Sequence, residues 1–159
     1  MNRVGFGIDV HPLVADRPLV LGGVTVPSAL GLGGHSDAAV LPPAFCEALL
    51  GALALGDLGR HFPDTDPRYR GIASLRLLAE VKAMSGARGG TVVNVDATVL
   101  AQAPRLAPFL PEMAKRLADT LDLDASRVSV KAKSPEHLGL AGRREGIAAM
   151  AVASVEVPA

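Results

Sequence analysis

The chain has 159 residues, a length that suits one domain, and its 16 lysine and arginine residues balance 16 aspartate and glutamate residues. Zero net charge argues against binding to nucleic acid or anionic membranes through bulk electrostatics, although a local phosphate site is still allowed. Apolar residues make up 49% of the chain and aromatic residues 3%, so we expect a folded protein with an aliphatic core. The single cysteine, Cys46, allows no intrachain disulfide, and the start of the chain shows no signal peptide, so we expect a reduced cytoplasmic location.

Hydrophobic periodicity and turn residues predict nine elements in the order β-β-β-α-α-β-α-β-β. A strand over residues 3–8 is followed by a hairpin, 18–21 and 24–27, joined by Gly22-Gly23. Helices are predicted over 44–55, 73–85 and 111–121, and strands over 91–101 and 127–132. The last segment, 147–157, fits a strand or a buried helix by periodicity, and its β-branched ending favours a strand. The order predicts a single α+β domain over residues 1–159, with a mixed, mostly antiparallel sheet and helices layered on one face.

One pair of residues at the end of the first strand is a candidate metal site. Asp9 and His11 are two positions apart, so in an extended chain their side chains point to the same side. Carboxylate and imidazole together suit zinc, but two ligands alone also fit a hydrogen-bonded surface pair.

Four loops carry groups that suit polar or phosphate-bearing ligands. The glycine-rich turn before the first helix contains His35, Ser36 and Asp37 and fits either an anion site or a simple helix cap. The acidic loop 56–67 fits sugar hydroxyls, a metal, or a set of Asx turns. The small residues at 101–106 allow a flat ligand close to the backbone, or mark an ordinary strand exit. The cationic segments 131–136 and 139–146 fit phosphate binding or exposed turns.

Together, the order and spacing of these motifs resemble the 2-C-methyl-D-erythritol 2,4-cyclodiphosphate synthase family. The resemblance covers essentially the whole chain. It rests on Gly-Ile-Asp-Val-His, Gly-His-Ser-Asp, Ala-Leu-Gly-Asp-Leu-Gly, Phe-Pro-Asp-Thr-Asp-Pro, Asn-Val-Asp-Ala-Thr, Ala-Gln-Ala-Pro-Arg, Val-Lys-Ala and Gly-Arg-Arg-Glu-Gly-Ile.

The resemblance implies a homotrimeric lyase of the non-mevalonate isoprenoid pathway, with an active site at each subunit interface. The 2-phosphate of 4-diphosphocytidyl-2-C-methyl-D-erythritol 2-phosphate attacks the β-phosphorus, CMP leaves, and the cyclic diphosphate forms. No protein nucleophile is needed, since positioning and neutralisation of phosphate charge supply the catalysis. The location it implies is the cytoplasm, or the plastid stroma in a plant-type host.

The family pattern also implies a role for each site residue. Asp9 and His11 would be two of three Zn²⁺ ligands, and Glu136 would hold Mg²⁺ or Mn²⁺ between two phosphates. Lys133 and Ser134 would lie at the phosphates, and Arg143 with Glu145 near the trimer axis. The remaining residues would bind substrate. At the diphosphate and methylerythritol end these are His35 and Ser36, on the ribose and erythritol side Asp57 and Gly59, and in the methylerythritol pocket Phe62, Asp64 and Asp66. At cytosine, from the neighbouring subunit, they are Ala101, Gln102, Ala103, Pro104, Arg105 and Leu106.

The sequence departs from the family pattern within this site. An ungapped alignment places Pro43, which has no ligand atom, where the family has its third zinc ligand, a histidine. Cys46, one helical turn further on, is a candidate replacement, although a buried cysteine is more often a small apolar side chain. Lys133 stands at a usual threonine and Arg144 at a usual glycine. We therefore expect zinc affinity and cyclase activity to be reduced or absent.

Three hypotheses follow for the function. The chain is a working cyclodiphosphate synthase with an altered metal site, or a catalytically inactive trimer kept, or engineered, for its architecture. In the second case the uncharged run from Ala38 to Cys46, if exposed, would be a contact patch for a protein partner. The third hypothesis is a binding protein for cytidine or isoprenoid diphosphates, which needs the 101–106 loop but no zinc.

Overall fold

The computed structural model describes residues 1–34 and 39–159 and contains seven strands within them. These strands are β1 (Asn2–Val14), β2 (Leu19–Leu21), β3 (Val24–Val26), β4 (Gly31–Leu32), β5 (Thr91–Leu100), β6 (Val128–Lys133) and β7 (Gly146–Glu156). Five of them form one sheet in the order β4-β1-β7-β5-β6. The pairings are antiparallel except that of β5 with β6, which is parallel, so the predicted mixed sheet is confirmed.

Strands β2 and β3 form the predicted hairpin as a separate two-stranded sheet. Gly22 and Gly23 at its turn both have positive φ, 54° and 77°. The tightest hairpin turns require positive φ at both central residues, and glycine adopts it without steric cost. The hairpin is therefore predictable from the sequence because its geometry is local.

The described residues contain five α-helices: α1 (Leu41–Ala52), α2 (Leu58–His61), α3 (Ser74–Ala87), α4 (Leu110–Leu121) and α5 (Gly139–Gly142). The three predicted helices correspond to α1, α3 and α4. Helix α1 begins three residues before the predicted start, because Pro42 and Pro43 lie in its first turn, where no backbone N–H is needed. Helices α2 and α5 have four residues each, too few to show a periodic pattern.

Helix α1 lies directly on β1 because two glycines remove the side chains between them. A Cβ atom on Gly5 would lie 1.9 Å from the Ala48 carbonyl oxygen, and one on Gly7 would lie 2.1 Å from that of Ala44. Two residues along β1 thus correspond to one turn of α1, as the rises of strand and helix require. Continued by two more residues along β1 and four along the helix, this register places Val40, the N-cap of α1, over Asp9, at the start of the turn that contains Pro43.

The two faces of the sheet differ in what covers them. The odd-numbered residues of β1 face α1, whereas the even-numbered residues point away from the helices and are exposed. Val4, Phe6 and Ile8 are 68%, 60% and 53% exposed. With Val10 and Val152, which are also exposed, they form what we call the apolar sheet face. The prediction that helices lie on one face of the sheet is confirmed for the described part of the chain.

The predicted contact patch at residues 38–46 is wrong where the structure can test it. Residues 39–46 are all buried in the core, because the first two turns of α1 pack against the sheet and neighbouring elements. Ala38 lies outside the described residues. The uncharged run therefore belongs to the core, and the exposed apolar surface is on β1 and β7 instead. Among the described helices, none has the length and apolar character to cross a membrane.

Candidate functional site

The side chains of Asp9 and His11 lie together at the helix-covered face of β1, as the two-residue spacing predicted. His11 Nε2 is 2.9 Å from Asp9 Oδ2, and His11 Nδ1 is 2.8 Å from the carbonyl oxygen of Gly33. A carbonyl accepts hydrogen bonds, so in the neutral ring Nδ1 carries the proton and the Nε2 lone pair faces the carboxylate. A backbone carbonyl that fixes the ring through its other nitrogen is the usual support of a metal-binding histidine.

The carboxylate oxygen Asp9 Oδ2 is the unsatisfied atom of this pair. The atom is buried and has no hydrogen-bond partner among the described residues. Two lone pairs that face each other at 2.9 Å are unfavourable unless a cation or a proton lies at the point where they converge. With a proton on Nε2 the pair is a His–Asp ion pair, and with a cation at the point of convergence it is half of a metal site.

No third protein ligand is present in the part of the chain that the structure describes. No group of three or more histidine, cysteine, aspartate or glutamate side chains there is arranged to hold a metal. Pro43, in the turn over Asp9, is buried and has no ligand atom. A resident zinc site uses at least three protein ligands. Within residues 1–34 and 39–159, Asp9 and His11 therefore fall one ligand short of such a site.

Cys46 does not supply the missing ligand. Its side chain is fully buried, and burial, followed by the nearby charge of Glu47, raises the pKa of the thiol far above its ordinary value. Zinc binds the thiolate, which this site strongly disfavours. Cys46 acts as a small apolar side chain of the core.

The acidic loop 56–67 is built largely from capped turns. Asp57 Oδ1 accepts a hydrogen bond from the Arg60 N–H at 2.9 Å, and Asp66 Oδ1 accepts one from the Arg68 N–H at 2.9 Å. The Arg68 side chain also donates to Asp66 and thereby lowers the pKa of that carboxyl. The interpretation as an Asx turn is thus confirmed for Asp66, whereas Asp57 is the N-cap of α2, and both hold the loop in shape.

A cavity of about 210 Å³ opens beside this loop. Phe62 and Asp64, both predicted site residues, lie on its wall with Leu58, and Gly59 follows in α2. Glu47 of α1 accepts the Leu58 N–H at 2.9 Å, which ties α2 to α1. Residues 69, 70, 72 and 77 complete the wall. Sequence reasoning missed them, although three of the four come within six residues of the acidic loop.

A second cavity of about 300 Å³ brings the predicted cytosine loop and the predicted phosphate residues together. Parallel pairing places Leu100 beside Lys133, and the Ala101 N–H donates to the Lys133 carbonyl at 3.2 Å. The cavity is therefore framed by the ends of two neighbouring strands. Seven of the predicted site residues lie on its wall: Ala101, Gln102, Pro104, Arg105, Leu106, Lys133 and Ser134.

The segment after β6 is held by backbone hydrogen bonds to side chains. The Glu136 N–H donates to Ser134 Oγ at 3.1 Å, and the His137 N–H donates to Gln102 Oε1 at 2.9 Å. Glu136 and His137 both have positive φ, which is uncommon for residues other than glycine. The exposed Glu136 side chain lies beside the second cavity, while Ser134 and Gln102 act in part as supports of this turn.

Three other predicted site residues, Arg143, His35 and Ser36, are not placed at either cavity by the structure. Arg143 forms a two-point ion pair with Glu145, with N–O distances of 3.2 and 3.0 Å. His35 and Ser36 lie outside the described residues.

The Asp9–His11 pair and the second cavity lie at one end of the sheet but are separated within the chain. The register places Val10 beside Ala148, Ala148 beside Leu100, and Leu100 beside Lys133. Three strand spacings of about 4.8 Å put the two groups roughly 14 Å apart. Within one chain, the Asp9–His11 pair and the second cavity therefore do not meet.

Comparison with known proteins identifies the family of the chain. Residues 2–156 match the YgbB family. A 2-C-methyl-D-erythritol 2,4-cyclodiphosphate synthase of Desulforamulus reducens is 56% identical over 97% of this chain and 98% of its own length. One of Pelotomaculum thermopropionicum is 59% identical over 96% of this chain and 94% of its own.

Solved structures give the same result for the fold. A CDP-bound form of 2C-methyl-D-erythritol-2,4-cyclodiphosphate synthase superimposes with a TM-score of 0.90 at 34% identity, covering 97% of this chain and 100% of its own. The bifunctional IspDF of Campylobacter jejuni gives a TM-score of 0.94 at 39% identity over 99% of this chain, which spans 43% of that longer protein. The chain belongs to the YgbB family.

Proposed function

We propose that this chain is a cyclodiphosphate synthase that converts 4-diphosphocytidyl-2-C-methyl-D-erythritol 2-phosphate into 2-C-methyl-D-erythritol 2,4-cyclodiphosphate and CMP. Relatives with that name share 56% and 59% of its residues over nearly their whole length. The observation that carries the proposal is the cavity where the loop 101–106 meets Lys133 and Ser134, since it joins a site for a base to cationic and hydroxyl groups that suit phosphate. We further infer that residues 1–159 form one domain, because the buried apolar side chains form one connected core.

The reaction needs the chain to position two phosphates of one molecule. An oxygen of the 2-phosphate attacks the β-phosphorus, the bond from that phosphorus to the CMP oxygen breaks, and CMP leaves with the electron pair. Arg105 and Lys133 would neutralise charge at the transferred phosphoryl group, and the backbone of 101–106 would hold cytosine. Residues 57, 59, 62, 64 and 66 would line the methylerythritol end and exclude water from it.

Metal dependence belongs to the family, and we propose how this chain would meet it. Glu136 is exposed at the cavity edge and accepts no hydrogen bond on its carboxylate from the described residues, so it would hold Mg²⁺ or Mn²⁺ at the diphosphate. The bound ion would supply further charge neutralisation. At Asp9 and His11 we propose a zinc site that has lost one ligand, and for that reason we expect low activity.

We also propose that the chain acts as a homotrimer. The apolar sheet face leaves Val4, Phe6, Ile8, Val10 and Val152 exposed, and an apolar patch of that kind usually marks an interface. The occupant we infer is another copy of this chain. The Asp9–His11 pair and the second cavity, which we take as two half-sites, lie roughly 14 Å apart within one copy. Association of copies through this face would bring the half-site of one subunit to that of its neighbour.

The substitution Phe6→Glu tests the trimer. A charge at the centre of this face would have to be buried unpaired in the interface, so we expect the trimer to dissociate into monomers. Light scattering after size-exclusion chromatography gives the mass directly. Arg76→Glu, on the exposed side of α3, is the matched control and should leave a trimer. A trimer that persists in Phe6→Glu, or a monomeric wild-type chain, would contradict the proposal.

An assay of CMP release tests the proposed reaction. The wild-type chain is incubated with the diphosphocytidyl substrate, Mg²⁺ and Zn²⁺, and both CMP and the cyclic diphosphate are measured. We expect slow, stoichiometric formation of the two products. The alternative, a cytidine diphosphate-binding protein, is favoured by the incomplete zinc site. CDP binding without any CMP release would support that alternative and reject the synthase.

A further inference from the structure

Arg144 occupies a backbone position that normally belongs to glycine. It follows helix α5, where its N–H donates to the Ala141 carbonyl at 3.1 Å and the Glu145 N–H donates to that of Leu140 at 2.9 Å. This pair of hydrogen bonds is the Schellman motif that ends many helices, and its left-handed residue is most often glycine. Arg144 has the left-handed φ of 59°. Its side chain is thus retained at a cost in backbone strain.

The guanidinium group of Arg144 is available for a ligand. The preceding residue, Arg143, is engaged with Glu145, whereas Arg144 forms no ion pair or side-chain hydrogen bond with any residue that the structure describes. Instead it lines a third cavity of about 230 Å³. The rest of that wall is mostly apolar and small: Leu13, Ser28, Ala29, Leu30, Ala103 and Pro104.

The position of this third cavity suggests its ligand. Pro104 lies on its wall and also on that of the second cavity, which holds Arg105 and Lys133. The loop 101–106 therefore has cationic side chains on both sides. A guanidinium group presents paired N–H donors that match phosphate oxygens, and an unpaired one at an apolar cavity is a strong site for that anion.

We propose that Arg144 makes the third cavity a subsite for a phosphate group. The inference rests on the proposed function, because the phosphate is taken to belong to the nucleotide that the loop 101–106 binds. Free phosphate compounds share the same chemistry and are the other source of such a group. Arg144 is then a residue that determines affinity, and it takes no part in bond breaking.

Arg144→Gly gives opposite expectations for stability and for binding. Glycine relieves the strain at the left-handed position, so the melting temperature should rise by about 2–4 °C. Loss of the guanidinium should weaken binding of CDP, measured by calorimetry, at least about tenfold. Arg144→Lys keeps the charge and should recover part of the affinity. Inorganic pyrophosphate, tested beside CDP, distinguishes a general phosphate site from one that requires the nucleotide.

Ala54→Gly is the matched control for the backbone effect. Ala54 follows α1 in the same hydrogen-bond pattern: its N–H donates to the Gly51 carbonyl, and the Leu55 N–H donates to the Leu50 carbonyl. The φ of Ala54 is 55°. The Ala54→Gly substitution should raise the melting temperature without changing the affinity for CDP or for pyrophosphate. The proposal is supported if Arg144→Gly weakens the binding of CDP or pyrophosphate and Ala54→Gly does not. It is overturned if Arg144→Gly changes neither affinity more than threefold, or if neither probe binds the wild-type chain. Wild-type CMP release together with unchanged CDP binding would reject this subsite and leave the proposed function standing.

Discussion

Pro43→His is expected to raise the affinity of the chain for zinc at least about a hundredfold. The new imidazole would add a third ligand in the turn that lies over Asp9 and His11. The side chains of these two residues already converge, and the ring of His11 is fixed by the Gly33 carbonyl. Loss of an outer-shell partner alone costs a metal site about 10–100-fold, so gain of a direct ligand should exceed that range. Zinc content after dialysis against a weak chelator, measured by mass spectrometry, should rise from well below one to near one ion per chain.

Two controls isolate the ligand from other effects of the substitution. Pro43→Ala removes the proline without adding a donor and should leave zinc content low. Pro42→His adds the same donor one position earlier, about 100° around the helix, and should not complete the site. The interpretation of the site would be wrong if the wild-type chain retained one zinc ion under the same dialysis, or if Pro43→His retained no more than Pro43→Ala.

Gly7→Ala is expected to destabilise the fold by about 3 kcal/mol or more, near the upper end of overpacking effects. The new Cβ atom would lie 2.1 Å from the Ala44 carbonyl oxygen and 2.6 Å from the Ala48 nitrogen. Both are backbone atoms of α1, so the whole helix would have to move away from β1. Urea unfolding followed by circular dichroism measures the change in the free energy of unfolding.

Gly86→Ala is the matched control for this prediction. Gly86 lies in α3, and a Cβ atom there would have no neighbour within 4 Å. Alanine should therefore stabilise the chain by about 0.5–1 kcal/mol through its helix preference. An unfolding midpoint for Gly7→Ala equal to that of the wild type would show that α1 does not rest on β1 as described.

Features of the fold that depend on local geometry could be predicted from the sequence. The Gly22-Gly23 turn and helices α3 and α4 are examples, since periodicity and turn residues determine them. The full length of β1 could not be predicted, because it is set by pairing with β7 along residues 2–12 and with β4 at Leu13 and Val14. Pairing between distant segments leaves little local signal.

In the candidate site, too, features that depend on local sequence could be predicted, and those that depend on distant contacts could not. The alternation of residues predicted that Asp9 and His11 share a side of β1, and several residues of the predicted loop motifs line two of the cavities. The location of the exposed apolar surface was predicted wrongly, because the sequence does not show that the first turns of α1 are buried against the sheet while the far side of β1 is left uncovered. The left-handed turn at Arg144 was also not predictable, because arginine gives no signal for positive φ.

We infer that this chain has the site of a cyclodiphosphate synthase and that Pro43 limits its rate. The rate of CMP release by the wild-type chain and by Pro43→His, measured side by side with saturating diphosphocytidyl substrate, Mg²⁺ and Zn²⁺, tests this inference. We predict slow release by the wild-type chain and a rate at least about tenfold higher in the variant, a barrier lower by about 1.4 kcal/mol. A wild-type rate equal to or above that of Pro43→His would contradict the claim.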